Sequence, residues 1–360
     1  MARVLVLSSF PVYPANDGGR VRAHQVAASL AGVHDVTVVC PRLADPVPGS
    51  LPYRLRDIAG AGPRRQLLDP PFLRRLVAIV REERPDAIVL EYVWQGLHAT
   101  LASALTATPL IVDAFDVLRT RFRRAHHPLW PVVAAYERAV LARARQVLAI
   151  SPRDLEEFAR MGIARQRLLL VPGGVDAAAF HPDEAARART RAGLGVIDAT
   201  PLLLFFGQLE YAPNAEALRL LCSEIMPRLD DRHRLVVAGR GRVDPAVIDA
   251  AGGRARVLGP VDRIADYINA ADAVVAPLRS GSGVRFKLLE TVACGVPAVT
   301  TAVGAEGLSP SLIDSHVVIR DDWPSFAAAA EAVCHWPRSA PSREFLAAHD
   351  WRRIAAAVRI

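Results

Sequence analysis

Residues 277–290, PLRSGSGVRFKLLE, combine the side chains and spacings that hold a phosphorylated ligand. Gly281 and Gly283 let backbone amides approach an anion with no Cβ in the way. A helix starting near Val284 adds unpaired N–H groups and a partial positive charge. Arg285 and Lys287 fall in its first turn, where the helix field favours acids, so two cations there imply an anion beyond them. Of 44 basic residues, 43 are arginine and Lys287 is the one lysine. Lysine is a compact point charge and arginine a planar fork, so keeping lysine here implies a site that needs the smaller head. Glu290 follows by three residues on the same helix face, suited to accept ribose hydroxyls beside a phosphate site. The plainer alternative is a tight loop closed by an internal Lys287–Glu290 pair.

Three further segments carry weaker signals. In residues 14–22, PANDGGRVR, Gly18 and Gly19 open a helix N-terminus, with Asn16 and Asp17 as loop formers or caps. The stretch lacks GxGxxG, so a ligand loop and a plain turn both remain open. Residues 237–242, VAGRGR, end a strand and either supply a cation, Arg240, or turn the chain; Gly207 ends another apolar strand. Residues 113–116, DAFD, follow an apolar run, so Asp116 either bonds an acceptor sugar or caps the next helix. No GxSxG or HExxH is present, nor a DxD after a strand to hold a divalent metal, so no metal or other cofactor is expected.

These segments need strands to end beside them, and the chain provides them. Strands are predicted at 3–8, 35–40, 87–90, 110–112 and 146–150, with helices at 20–31, 74–83 and 131–144. The pattern restarts with strands at 202–206, 234–238, 255–258, 273–276 and 298–300, and helices at 215–227, 264–270 and 287–293. Such alternation predicts an α/β chain with parallel sheets, doubly wound, with ligands at the carboxyl ends of the strands. The Pro/Gly/Asp-rich stretch 171–182 reads as the linker between two domains.

The 360 residues exceed one ordinary core, and with half of them hydrophobic the chain can bury two. No apolar run approaches the roughly 20 residues of a membrane span, and residues 4–7 read as a buried first strand. The four cysteines form no CxxC pair, so a reducing cytoplasm is expected. The net charge of +7 suits an anionic ligand. Seven arginines lie between residues 119 and 145 with a single acid, Glu137, and with Phe122, Leu129, Trp130 and Tyr136 interleaved. That stretch is read either as a peripheral contact with an anionic membrane or as a core-packed helix in an arginine-rich chain.

Over nearly its whole length the sequence resembles the retaining, GT-B-fold glycosyltransferases of family 4, group 1, with closest likeness to the sugar transferases of bacterial exopolysaccharide clusters. The likeness rests on PVYPANDGGRVR, AYERAVLARARQVLAISPRDLEEF, LVPGGVDAAAFHPD, FFGQLEYAPNAEAL, ADAVVAPLRSGSGVRFKLLETVACGVPAVTT and GAEGL. It implies two Rossmann-like domains facing a cleft: 1–175 on the acceptor side, with a C-terminal helix 345–360 packing back on it, and 176–344 for a nucleotide-sugar donor. It implies metal-independent transfer to an acceptor hydroxyl with retention. Lys287, Arg285 and Asp116 are the expected catalytic residues, with Gly18, Gly19, Gly207, Arg240, Ser282, Gly283, Val284 and Glu290 on the donor.

The sequence departs from the family pattern at Ser282, where the first glutamate of E-x7-E would stand, and at Gln208 and Asn214, where two phosphate cations would stand. Phe115 replaces a histidine. The rival readings are a catalytically inactive nucleotide-sugar binding module, a Rossmann oxidoreductase and a GT-B epimerase. The resemblance leaves a carbohydrate, a lipid-linked molecule or a natural-product scaffold as acceptor, with no nucleic-acid partner. The expected location is cytoplasmic, with the inner face of the cell membrane as an alternative.

Overall fold

The computed structural model describes residues 1–15, 17–41, 50–58, 69–197, 199–281, 283–308, 312–313 and 315–360. The chain divides into two compact units, Met1–Gly174 with Trp351–Ile360, and Val175–Asp350.

The first unit is built on a seven-stranded sheet: β1 (Arg3–Ser8), β2 (Asp35–Cys40), β3 (Arg54–Asp57), β4 (Ala87–Glu91), β5 (Leu110–Ala114), β6 (Gln146–Ala149) and β7 (Leu168–Leu170). Their order is β3-β2-β1-β4-β5-β6-β7, parallel throughout. The central runs, such as LIVDA in β5, are wholly buried, as a parallel sheet covered on both faces requires. Its helices are α1 (Gly18–Ala31), α2 (Pro70–Glu83), α3 (Gly96–Thr106), α4 (Leu118–Arg124), α5 (Trp130–Arg143) and α6 (Pro152–Arg160). α2 starts earlier than the pattern from 74 suggests, because Asp69 caps the amide of Phe72 and proline occupies the first turn.

The second unit repeats the plan with α7 (Glu184–Leu194), β8 (Leu202–Phe206), α8 (Ala212–Leu220), β9 (Arg234–Ala238), α9 (Pro245–Asp249), β10 (Ala255–Gly259), α10 (Ile264–Ala270), β11 (Ala273–Ala276), α11 (Phe286–Ala293), β12 (Ala298–Thr300), β13 (Val317–Ile319), α12 (Trp323–Val333) and α13 (Arg343–His349). Strand order is β10-β9-β8-β11-β12-β13, again parallel. The helix expected at 215–227 is α8 extended by a π turn at Leu221–Ile225 and a 3-10 turn at Met226–Arg228. The last helix, α14 (Trp351–Ala356), packs on α1 of the first unit.

Both sheets reverse their winding at the centre, between β1 and β4 and between β8 and β11. A doubly wound sheet opens a crevice for ligands at that point, beyond the carboxyl ends of its strands.

Candidate active site

In the second unit, β8 ends at Phe206, beside β11, and the loop after β11 leads to α11. Gly281 and Gly283 take positive φ values of 103° and 78°, which suit glycine and delay the helix. The helix therefore begins at Phe286 rather than near Val284. Arg285 is its extended N-cap residue, outside the first turn where the sequence put it, while Lys287 lies within that turn.

The Lys287 ammonium donates to Asn214 Oδ1 at 3.0 Å and lies 4.7 Å from the Phe205 ring centroid and 5.9 Å from that of Phe206. Asn214 is itself fixed, donating from Nδ2 to the Gln208 carbonyl at 2.8 Å. Gly207 has φ 141°, and a Cβ there would stand 3.2 Å from Lys287 Nζ and 3.1 Å from Asn214 Nδ2. The glycine that ends β8 thus makes room for the lysine head.

Among the described residues no ion pair joins Lys287 to Glu290, so the plain Lys–Glu turn is not what the loop builds. Burial pulls the Lys287 ammonium down to about 7, aided by Arg285 and opposed by Glu290. Burial pushes the Glu290 carboxyl up to about 7, against the pull of Lys287. Each is half-buried, and an arriving diphosphate would restore the lysine's charge.

Arg285 donates to the Ser280 carbonyl at 3.4 Å, and its guanidinium lies 2.9 Å from where a Gly281 Cβ would be. Val284 is buried and Gly283 half-buried. Arg240 is exposed after β9, where its carbonyl accepts the Leu209 amide at 2.7 Å. Ser282, like Asn16, lies outside the described residues.

In the first unit Gly18 and Gly19 form the first turn of α1, capped by Asp17, which accepts the Arg20 amide at 3.0 Å. A Cβ on Gly19 would stand 3.5 Å from the Phe10 ring and 3.8 Å from the Phe115 ring. One turn on, Arg22 is fully buried and forks onto Asp113, with Nε to Oδ2 and Nη2 to Oδ1 both 2.7 Å. Its remaining donors reach the carbonyls of Val171 at 2.9 Å and Pro172 at 3.3 Å. Glu91, in register with Asp113 on the adjacent strand, is held well above the usual carboxylate range by burial and by the Asp113 charge.

Asp116 does not cap α4. The amides of Leu118 and Arg119 are taken by the buried Glu137 carboxylate at 2.8 and 3.0 Å. Instead Asp116 Oδ2 accepts from the Tyr92 hydroxyl at 3.1 Å and from Arg121 at 3.3 Å. Its Oδ1 has no partner among the described residues. Tyr92 sits at φ 71°, a strained position for a ring residue at a strand end, and stacks on Phe115 at 5.0 Å. Strain of this kind accumulates where backbone is held for a ligand.

Sequence reasoning missed three parts of this arrangement. It treated Asn214 as a lost cation, whereas the amide holds the lysine head. It passed over the Arg22–Asp113 fork, whose signals were an acid closing an apolar strand and an arginine inside an amphipathic helix. It did not single out the Phe205–Phe206 bed, because two phenylalanines ending an apolar run read as core.

The described residues hold no group of three or more His, Cys, Asp or Glu side chains placed for a metal ion. No helix among them is long and apolar enough to cross a membrane.

Comparison with known proteins adds an independent line. Residues 200–335 match the family described as Glycosyl transferases group 1, and residues 16–179 match Glycosyltransferase Family 4. A D-inositol 3-phosphate glycosyltransferase of Geodermatophilus obscurus is 34% identical over 310 residues, which are 77% of this chain and 67% of that protein. Its counterpart in Xylanimonas cellulosilytica is 32% identical over 204 residues, 50% of this chain and 47% of the relative, so that match spans about half of the relative's length. Among solved structures, sucrose-phosphate synthase from Thermosynechococcus elongatus superposes with a TM-score of 0.76 at 19% identity, covering 98% of this chain and 96% of its own. Anabaena HepE in complex with UDP-glucose gives 0.72 at 16% identity, covering 99% and 94%. These structural likenesses concern the fold, a pair of parallel-sheet Rossmann-like domains of the GT-B type.

Proposed function

This chain belongs to the group 1, family 4 glycosyltransferases, and we propose that it moves a sugar from a nucleotide-sugar donor to an acceptor hydroxyl, with retention and without a metal ion. The observation that carries the donor half is Lys287, fixed by Asn214 over the Phe205 ring at the carboxyl end of β8. An ammonium held there at the start of a helix suits a diphosphate, and the Glu290 carboxyl on the same helix face suits ribose. The UDP-glucose named with the HepE structure supports a nucleotide-sugar donor.

Breaking a glycosyl phosphate builds positive charge on the sugar and negative charge on the departing diphosphate. In this reading Lys287, Arg285 and the amides of Gly283 and Val284 receive the negative charge. With no carboxylate nucleophile assigned, the acceptor attacks from the face the phosphate leaves. A departing phosphate oxygen takes the acceptor proton, the glycosidic C–O bond forms and the glycosyl phosphate C–O bond breaks. Asp116, with one carboxylate oxygen unpartnered, positions the acceptor hydroxyl. Gly18 and Gly19 offer amides to an anionic group.

The relatives' name makes an inositol phosphate one acceptor to test, beside the polysaccharide and glycoconjugate acceptors that the sequence resemblance suggests. The location we propose is the cytoplasm, with the inner face of the cell membrane as the alternative, and the acceptor a carbohydrate, a lipid-linked molecule or a natural-product scaffold.

Thermal-shift screening of UDP-, GDP- and dTDP-sugars tests the donor reading, because a bound ligand stabilises by mass action, about 2.7 kcal/mol at a hundredfold excess over Kd. Product NMR with the stabilising donor then reports the anomeric configuration. Absence of stabilisation by any nucleotide sugar overturns the donor assignment, and an inverted product overturns retention.

A further inference from the structure

The structure separates Tyr136 from Trp130 in the arginine-rich stretch. Tyr136 is half-buried, its hydroxyl sharing its one proton between the carbonyls of Val93 at 3.0 Å and Trp94 at 2.9 Å and accepting the Leu97 amide at 3.3 Å. Trp130 faces outward at 38% exposure, between Leu129 at 56% and Val132 at 65%. Residues 123–132, joining α4 to α5, are exposed without interruption. In α5 Glu137, Val140 and Leu141 are buried and Val133 and Tyr136 pack against the core, while Trp130, Pro131 and Val132 at its start face solvent.

The charge on this corner is mainly positive, with Arg121 paired to Asp116 at 3.3 Å. From residue 117 to 153 the only acid is Glu137, and it is 0% exposed, bound to the α4 amides. Arg121, Arg123, Arg124 and Arg138 are all exposed there. On the next helix Glu157 is paired with Arg119 at 3.5 Å and Arg160 at 2.7 Å, and Glu156 with Arg165 at 2.8 Å. Trp130, Ala134 and Arg138 are four residues apart on α5 and share a face. Along it lies a hollow of about 360 Å³ lined in part by Arg119, Ala134, Ala135, Arg138 and Arg160.

We propose that this α4–α5 corner is a docking surface for an anionic lipid bilayer, with Leu129, Trp130 and Val132 entering the interface and the arginines resting on lipid phosphates. A short apolar tip ringed by guanidinia is the pattern of an interfacial membrane contact. Three apolar residues are too few for the roughly 800 Å² per partner that a stable protein interface buries. A second copy of the chain would bring the same positive charge to the contact. Each arginine near an anionic surface raises the partition roughly fivefold at low salt, and the gain falls at high salt.

The corner is also joined to the proposed acceptor residue. Ring contacts run from Tyr92, which bonds Asp116, to Trp94 at 6.2 Å, to Phe122 at 5.9 Å and to His127 at 5.0 Å. Docking would set the acceptor end of the first unit beside the lipid headgroups, where a membrane-borne hydroxyl is presented. That last step rests on the acceptor role proposed for Asp116; the docking itself does not.

The test is sedimentation of the full chain with phosphatidylcholine vesicles, with and without 30% phosphatidylglycerol, at low and high salt. We expect binding to the anionic vesicles only, at least tenfold weaker at high salt. R123E/R124E should lower it more than twentyfold, and L129E/V132E should lower it with the salt dependence retained. A blue shift of tryptophan emission on vesicles should vanish in W130F. Salt-insensitive or absent co-sedimentation of the wild-type chain overturns the proposal, as does wild-type binding by R123E/R124E. Unchanged melting temperature and unchanged stabilisation by a nucleotide sugar in these variants separate a failure of docking from a failure of the donor reading.

Discussion

Asn214 Oδ1 accepts the Lys287 ammonium at 3.0 Å, so an amide stands against the one lysine of the chain. A neutral partner fixes the head without a compensating charge, so an anionic ligand would meet no competing carboxylate on it.

Replacing Lys287 tests that arrangement. Lys287→Ala is expected to lower kcat/KM for the donor by about a hundredfold or more, the scale of losing one strong charge-stabilising donor. Lys287→Arg should also be impaired, because the planar fork has to fit between Asn214 and the space beside Gly207. Wild-type turnover by the arginine variant would show that only the charge matters.

Gly207→Ala gives a second probe of the same spot. It combines a strained φ of 141° with a methyl 3.1–3.2 Å from Asn214 and Lys287. The expected cost is about 1–3 kcal/mol of stability and roughly a tenfold loss in donor affinity. Gly239→Ala should be worse for folding, since its Cβ would meet the Gly207 carbonyl oxygen at 1.7 Å. Equal donor affinity in Gly207→Ala and wild type would remove the Lys287–Asn214 geometry from the binding site.

The pH profile follows from two groups near 7. As pH rises above 7 the free enzyme loses the Lys287 proton, and kcat/KM for the donor should fall toward tenfold per unit. As pH falls below 7 Glu290 gains a proton and accepts ribose hydroxyls less well, giving a second descending limb. Glu290→Gln should weaken donor binding more than acceptor binding and flatten the acid limb. A profile flat from pH 6 to 8 would contradict both assignments.

Stability should respond in the opposite sense to function. Lys287 has a folded value near 7 against 10.5 for the free side chain, so between those values the unfolded chain holds more of its proton. The folded state is therefore penalised fully below pH 7 and relieved as pH rises toward 10.5. Lys287→Met should melt higher than wild type by about 2–6 °C near pH 7. That advantage should shrink in alkaline buffer, as scanning calorimetry across pH would show. A variant melting lower than wild type at pH 7 would mean that the lysine is held for stability.

Metal independence is checked directly. Transfer should be unchanged by a chelator, and magnesium or manganese should add nothing, because the groups proposed on the diphosphate are Lys287, Arg285 and backbone amides. Activity lost in the chelator and restored by either ion would replace that account.

The legible parts of this chain were those where one residue type repeats. Buried runs such as LLLFF in β8 and LIVDA in β5 announced the central strands. The strands not expected from the sequence, β3, β7 and β13, all lie at sheet edges. β3 reads RLRD and is partly exposed, while β7 and β13 are three-residue strands that are not wholly buried, unlike the equally short β12. Within the site, Lys287 and the glycine loop were visible because their types are unusual for the position. Asn214 was not, because what it does depends on a partner 73 residues away. The same limit applied to Arg22 and Asp113, 91 residues apart.

The first unit takes its final helix, Trp351–Ala356, from the far end of the chain, after all of the second. During synthesis α1 emerges early, but the residues that cover it, with Trp351 and Ile354 buried, arrive only once more than 170 intervening residues have been made. The half-made chain therefore carries an open apolar flank on the ribosome, and the residues of the second unit have to be synthesised before the first can close. A chain stopped at Asp350 should hold both sheets yet bind a hydrophobic dye and aggregate, and adding residues 351–360 as a separate peptide should reverse this. The order of manufacture, as much as the order of strands, thus decides when the first unit closes.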